Sequence, residues 1–186
     1  METDAMQKKV ILLNGASSSG KSTLSHALQN FLQYERGEDY GVISIDDFLN
    51  MSTGEAIYED DVFEISSKLS DEATHILNTK QGIIIDHVIT SERIFKQIVQ
   101  VLNFCDIYLI QVTCPLSELV RREKARNNRC LGSAESSYQY LYPKEAYDLT
   151  MDTFMLSTKE CTMRINDILN DKPRMEYINI KSQDKT

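Results

Sequence analysis

The chain has 186 residues, 41% of them hydrophobic and 26% charged, and a formal net charge of −8. That length and balance suit one globular domain with a substantial core. The acidic excess argues against a nucleic-acid partner, whose phosphates call for a basic footprint. No apolar run reaches membrane-spanning length, and the polar stretch from Met1 to Lys9 does not read as a signal peptide. The four cysteines, Cys105, Cys114, Cys130 and Cys161, form no C-x-x-C pair and no zinc spacing with the three histidines. Plain thiols of this kind suit a reducing cytoplasm.

Residues 1–8 read as a loose arm. Val10 to Leu13 is an apolar run of buried-strand type within a first strand at about 9–14, and it breaks at Asn14-Gly15. Gly15 to Ser22 then fits G-x-x-x-x-G-K-[ST], the phosphate-binding P-loop. Leu24, Ala27, Leu28, Phe31 and Leu32 follow at helical spacing, predicting a helix to about Tyr34. Glu35 to Asp39 is a charged turn, and Gly41 to Ile45 a second strand ending at Asp46-Asp47. Phe48 to Asp60 is irregular and suits a substrate-facing loop. Val62 to Lys80 reads as a helix, Gly82 to Asp86 as a third buried strand, and Ser91 as the cap of a further helix. Asp106 to Val112 is a fourth strand, and Pro115 opens a helix to about Asn127. Cys130 to Pro143 reads as loop. Tyr147 to Thr153 suits a short fifth strand, and Thr158 to Asn170 a last amphipathic helix stopped by Pro173. Tyr177 to Ile180 would add an edge strand or pack as a tail.

Strand and helix alternate, and the strands are apolar throughout. That pattern predicts an α/β fold of three layers, with a parallel five-stranded sheet covered on both faces. Right-handed crossovers bring every strand C-terminus to one rim, where ligands bind in open α/β sheets.

The P-loop residues have distinct physical jobs. Gly15 and Gly20 permit close approach and unusual backbone angles. The amides of Ala16, Ser17, Ser18, Ser19 and Thr23 belong to a loop and helix start that attract anions. Lys21 would reach the β- and γ-phosphates of ATP, and the Ser22 hydroxyl would ligate Mg²⁺. On the rim, Asp46 is placed to take the proton of an acceptor hydroxyl during phosphoryl transfer, with the adjacent Asp47 either capping the next helix or sharing the role. Asp86 follows three isoleucines, as a metal-holding acid does in such sheets, and could contact metal or substrate. Arg122, Arg126 and Arg129 recur at i, i+4 and i+7, one face if the helix persists that far. Their guanidinium forks suit phosphate oxygens. The competing reading of this face is a solvated surface paired with Glu118 and Glu123, and Arg121 fits it best.

These segments together resemble the chloramphenicol phosphotransferase family, within the P-loop kinases of the adenylate and shikimate kinase type. Ile11 to Ser22 is similar to the family's I-I-L-N-G-x-S-S-x-G-K-S, and Ile45-Asp46-Asp47-Phe48-Leu49 falls where the family has V-D-S-L. Ile83 to Val88 resembles I-I-I-D-D-V. Cys114 to Gly132 matches C-x7-R-E-x-A-R-x2-R-x2-G, and Tyr147 to Thr153 matches Y-D-x3-D-T. The resemblance implies ATP-dependent O-phosphorylation of a small hydroxylated molecule, as in chloramphenicol 3-O-phosphotransferase, with antibiotic resistance as its setting. It places the base at Asp46, the nucleotide phosphates at Gly15 to Thr23 with Arg122, and a lid around Arg122 to Arg129. Arg126 and Arg129 would then act on the transferring phosphate.

Two positions depart from the family, and the stretch Asn50 to Glu59 matches none of its patterns. His87 stands where a second acid is common, and Tyr142 where a histidine is expected. Both fall near the expected acceptor pocket. The expectation is one kinase domain, 1–186, with a lid at about 122–143, in the cytoplasm, binding ATP, Mg²⁺ and a small hydroxylated substrate, with neither nucleic acid nor membrane as partner. It leaves room for a homo-oligomer. Alternative acceptors are a nucleoside or a sugar nucleotide, and the alternative class is a nucleotide-hydrolysing regulatory switch.

Overall fold

The computed structural model describes residues 7–49, 58–126 and 131–173. Five strands form one parallel sheet: β1 (Lys9–Asn14), β2 (Tyr40–Ser44), β3 (Gly82–His87), β4 (Asp106–Thr113) and β5 (Leu149–Asp152), in the order β2-β3-β1-β4-β5. The helices are α1 (Lys21–Arg36), α2 (Glu59–Leu77), α3 (Glu92–Val101), α4 (Leu116–Ala125), α5 (Ser133–Tyr140) and α6 (Thr158–Ile168).

The apolar runs serve two faces at once because side chains alternate along a strand. Ile11 and Leu13 of β1 pack with Leu24, Leu28 and Leu32 of α1 and with Cys161 and Ile165 of α6. Val10 and Leu12 pack on the other side with Leu69 and Ala73 of α2 and with Ile94 and Ile98 of α3. The chain builds β2 and β3 on one side of β1 and then crosses to β4 and β5 on the other. The crevice above β1 is therefore the switch point of the sheet, and the P-loop fills it.

Ser91 caps α3 as expected, its hydroxyl accepting from Ile94 N at 3.4 Å. The second strand stops at Ser44, and Ile45–Asp47 forms a single 3₁₀ turn, so Asp46 sits on that turn rather than on the strand. The helix after Pro115 ends at Ala125, two residues short of Asn127. The Cys130–Pro143 region is not simply loop, since it contains α5. The arm at 1–6, most of the irregular stretch after Phe48, Arg129, Cys130 and the Tyr177–Ile180 segment lie outside the described residues. Among the described residues, Cys105, Cys114 and Cys161 are buried free thiols. No helix there is long and apolar enough to cross a membrane.

Candidate active site

The P-loop leaves β1 through a contact only glycine allows. A Cβ on Gly15 would run into the Val112 carbonyl of β4. Ser18 and Gly20 then take left-handed backbone angles, with φ of 67° and 96°. A serine in that region is uncommon, and such strain gathers at ligand-holding turns. Ser19 N closes the turn on Ala16 O at 3.2 Å. Lys21 Nζ donates back to Ala16 O at 3.0 Å, and it lies 3.8 Å from Asp86 Oδ1. Ser22 Oγ donates to Asp86 Oδ2 at 2.6 Å.

Lys21, Ser22, Asp46, Asp86 and Arg126 all line one narrow cleft above the loop, together with Ser18 and Gly20. Residues from α1, the 3₁₀ turn, β3 and the end of α4 thus converge within one ligand's reach. The 3₁₀ turn is held by a reciprocal cap: Ser44 Oγ accepts from Asp46 N at 3.3 Å, and Asp47 Oδ2 accepts from Ser44 N at 3.1 Å. Asp47 is thus the capping acid, which leaves Asp46 as the carboxylate lining the cleft.

The arginine face is divided. Arg121 and Arg122 both donate to Glu118, and their two guanidiniums hold its carboxyl well down, to about 2. Arg122 also reaches Thr153, whose hydroxyl donates to Ser19 O at 2.7 Å, so it stands beside the P-loop. Arg126 is the C-cap of α4, and its ψ of 87° turns the chain after it out of the helix. It lines the narrow cleft and, with Arg122, a second cleft of about 250 Å³. That second cleft runs from Gly20 and Thr23 past Arg122 to Leu156 and Thr158. A larger hollow of about 480 Å³ lies on the outer side of the loop, between the ends of β4 and β5 and α5, away from Asp46 and Asp86.

Among the described residues, Glu123 is bonded to backbone amides and not to an arginine. It is 3% exposed, and its two oxygens accept from Gly132 N at 2.9 Å and Ala134 N at 2.7 Å. Further along α5, Ser137 Oγ accepts from Ser17 N at 2.9 Å, seating the helix against the P-loop. Ala16, Cys114, Leu119 and Ala134 form a small apolar cluster behind that contact. Asn14 closes the other side, donating to Tyr142 O and Tyr147 Oη and accepting from Ile89 N.

His87 is fully buried with its Nε2 3.0 Å from Ser66 Oγ. Ser66 donates its own proton to Val62 O at 2.6 Å, so His87 is the donor to Ser66. Burial pushes the ring down to about 4, which keeps it neutral. The ring of Tyr142 packs edge-on against Phe95, 5.8 Å between centroids.

Buried polar groups normally find partners. Among the described residues, Ser18 Oγ and Ser19 Oγ have none. Two buried donors on the inner loop of an anion nest fit phosphate oxygens. Ser22 and Asp86 offer a close pair of hard oxygens. Such a sparse set fits Mg²⁺, which keeps several waters and takes one or two protein ligands beside phosphate oxygens.

A sequence model of the chloramphenicol phosphotransferase-like protein family matches residues 8–170. The chain belongs to that family. Among curated proteins none matches the sequence. Solved structures with the same fold include the Mycobacterium tuberculosis APS kinase in complex with AMPPNP and APS, at 21% identity and a TM-score of 0.70, covering 89% of this chain and 99% of that one. A gluconokinase from Sinorhizobium meliloti 1021 is 14% identical with a TM-score of 0.62, covering 89% and 97%. A Deinococcus radiodurans tunicamycin resistance protein is 13% identical with a TM-score of 0.60, covering 88% and 96%. Family and fold together describe a P-loop kinase-type phosphotransferase. Within this chloramphenicol phosphotransferase-like chain, sequence reading gave no role to Thr153 or Ser137 and set Glu123 only as a surface partner of the arginines. Thr153 and Glu123 both lay in family motifs, whereas a serine such as Ser137 carries no signal of its own.

Proposed function

We propose that the protein is an ATP-dependent O-phosphotransferase acting on a hydroxyl of a small molecule. The observation that carries this is the convergence of Asp46 with Lys21, Ser22, Asp86 and Arg126 on one cleft. In this reading the loop amides and the Ser18 and Ser19 hydroxyls hold phosphate oxygens, and Lys21 offsets charge on the transferring group. Ser22 and Asp86 would hold Mg²⁺, which when bound offsets negative charge on the phosphates. Asp46 accepts the proton of the acceptor hydroxyl as it attacks in line. Arg126 acts on the transferring group, and the family pattern gives the same role to Arg129, which lies outside the described residues. The second cleft, beside Thr23 and Arg122, suits the nucleoside.

A regulatory switch would use a group that orients water, whereas a carboxylate such as Asp46 suits an organic hydroxyl. We read 1–186 as one cytoplasmic kinase domain with 122–143 as its lid. The family points to chloramphenicol as the first acceptor to test, with other hydroxylated antibiotics, nucleosides and sugar nucleotides beside it. The test is ADP release from ATP and Mg²⁺ with each acceptor in turn. Acceptor-dependent release that Lys21→Ala abolishes supports the reading. Release at the same rate without any acceptor supports the switch instead.

A further inference from the structure

The buried carboxylate of Glu123 has no part in the chemistry described so far. It lies in the last turn of α4, and both of its oxygens are spent on amides at the start of α5. An anion at a helix N-terminus is favourable, and hydrogen bonds to a charged acceptor are among the stronger ones. The two bonds tie α4 to Gly132, whose φ of 92° makes the turn into α5. They therefore fix the spacing between the two ends of the chain segment that begins at Arg126. The same corner is registered on the P-loop by Ser137 and Ser17 and by the packing of Ala134 on Ala16. Arg126 leaves α4 three residues after Glu123 and enters the cleft beside Lys21 and Asp86.

We infer that Glu123 is a positioning residue, which holds Arg126 at the outer phosphate by clamping α4 to α5. The inference rests on the kinase reading above. It predicts an effect on the nucleotide's last phosphate more than on nucleotide binding in general. Glu123→Gln keeps size and shape but turns an N–H₂ toward a backbone N–H, so one bond is lost and replaced by a clash of donors.

The experiment is a calorimetric titration with AMPPNP and, separately, with ADP, each with Mg²⁺. It uses the wild type, Glu123→Gln, Arg126→Ala and the double variant, all checked for native melting. Glu123→Gln should weaken AMPPNP about tenfold and ADP less than threefold, as should Arg126→Ala. The double variant should be no weaker than Arg126→Ala, because residues acting through one another are not additive. Full additivity, equal loss for both nucleotides, or no loss in Glu123→Gln overturns the inference while Arg126→Ala keeps its selectivity. If Arg126→Ala itself leaves AMPPNP and ADP untouched, the phosphate role of Arg126 falls, and the inference with it. Should Glu123→Gln not fold, Glu123→Asp, which keeps the charge and shortens the reach, must show the same selective loss.

Discussion

The Ser22 hydroxyl donates to Asp86 Oδ2 at 2.6 Å, so the first turn of α1 and the end of β3 meet at one point beside the P-loop. Parallel pairing of β1 with β3 sets this contact, because Asp86 lies in register with Leu13, just before the P-loop begins. Removing the charge from this pair should weaken the hold on a divalent cation without disturbing the sheet. Asp86→Asn is expected to raise the Mg²⁺ concentration for half-maximal ADP release by about tenfold or more. A Mg²⁺ titration of the variant checks this, and an unchanged midpoint would assign Asp86 to orienting Lys21 alone.

Asp46 is the other acid of the cleft, and the role proposed for it differs. It sits on a turn whose caps are Ser44 and Asp47, so its own carboxylate is not needed to close that turn. Asp46→Asn should keep AMPPNP affinity within about threefold and lower kcat by about 10²-fold. Steady-state kinetics with a saturating acceptor decide the matter. A kcat within threefold of wild type would remove Asp46 as the base.

The sheet and the phosphate loop were legible because parallel strands buried on both faces read as unbroken apolar runs, and acids follow two of them. Ser91, Asp46 and Asp86 stand where turn and rim chemistry put them. α5 was not legible. Its sequence, Ser133 to Tyr140, buries only Ala134 and Ser137, so no apolar stripe marks it. It is a helix because a carboxylate caps it and small residues fit against the P-loop. Arg122 and Arg126 line one cleft, as their i, i+4 spacing implies. The pattern does not carry on as helix, because the chain turns out of α4 after Arg126. Glu123, in a run of charged residues, looked solvated until the fold buried it.

His87 gives a pH dependence whose sign can be worked out. Burial lowers the ring from 6.5 to about 4 in the folded chain. Between those values the unfolded chain takes up a proton that the folded chain refuses. The contribution to stability is thus complete above pH 6.5 and is lost as the pH falls toward 4. At about 1.4 kcal/mol per unit, the loss amounts to roughly 3 kcal/mol. Denaturant unfolding across that range, for wild type and His87→Gln, should show a difference between them that shrinks with acid. Carboxylates common to both cancel in the difference. A difference that stays constant from pH 7 to pH 4 would exclude a buried neutral histidine.

Asn14 offers a test of how the loop is anchored. Its amide donates to Tyr142 O at 2.8 Å and to Tyr147 Oη at 2.9 Å, and its oxygen accepts from Ile89 N at 2.9 Å. One side chain at the end of β1 thus satisfies the exit of β3 and the 142–147 segment together. Asn14→Ala would leave the Ile89 N–H and the Tyr142 carbonyl without this partner, although Tyr147 keeps its bond to Pro143 O. Each buried group left unsatisfied costs about 1–3 kcal/mol, so the variant should lose roughly 2–4 kcal/mol. Asn14→Asp keeps the acceptor for Ile89 but sets a carboxylate oxygen against the Tyr142 carbonyl, and should be no more stable than the alanine variant. Urea unfolding should report both losses as a lower midpoint at an unchanged slope, since no surface exposed on unfolding is altered much. The loss should carry over to the loop itself. Gly15 follows Asn14 directly and packs on Val112, so a shifted Asn14 backbone moves the first amide of the nest. AMPPNP affinity, measured well below the melting temperature of Asn14→Ala, should fall several-fold. A variant that melts early yet binds AMPPNP as tightly as wild type would confine Asn14 to stability.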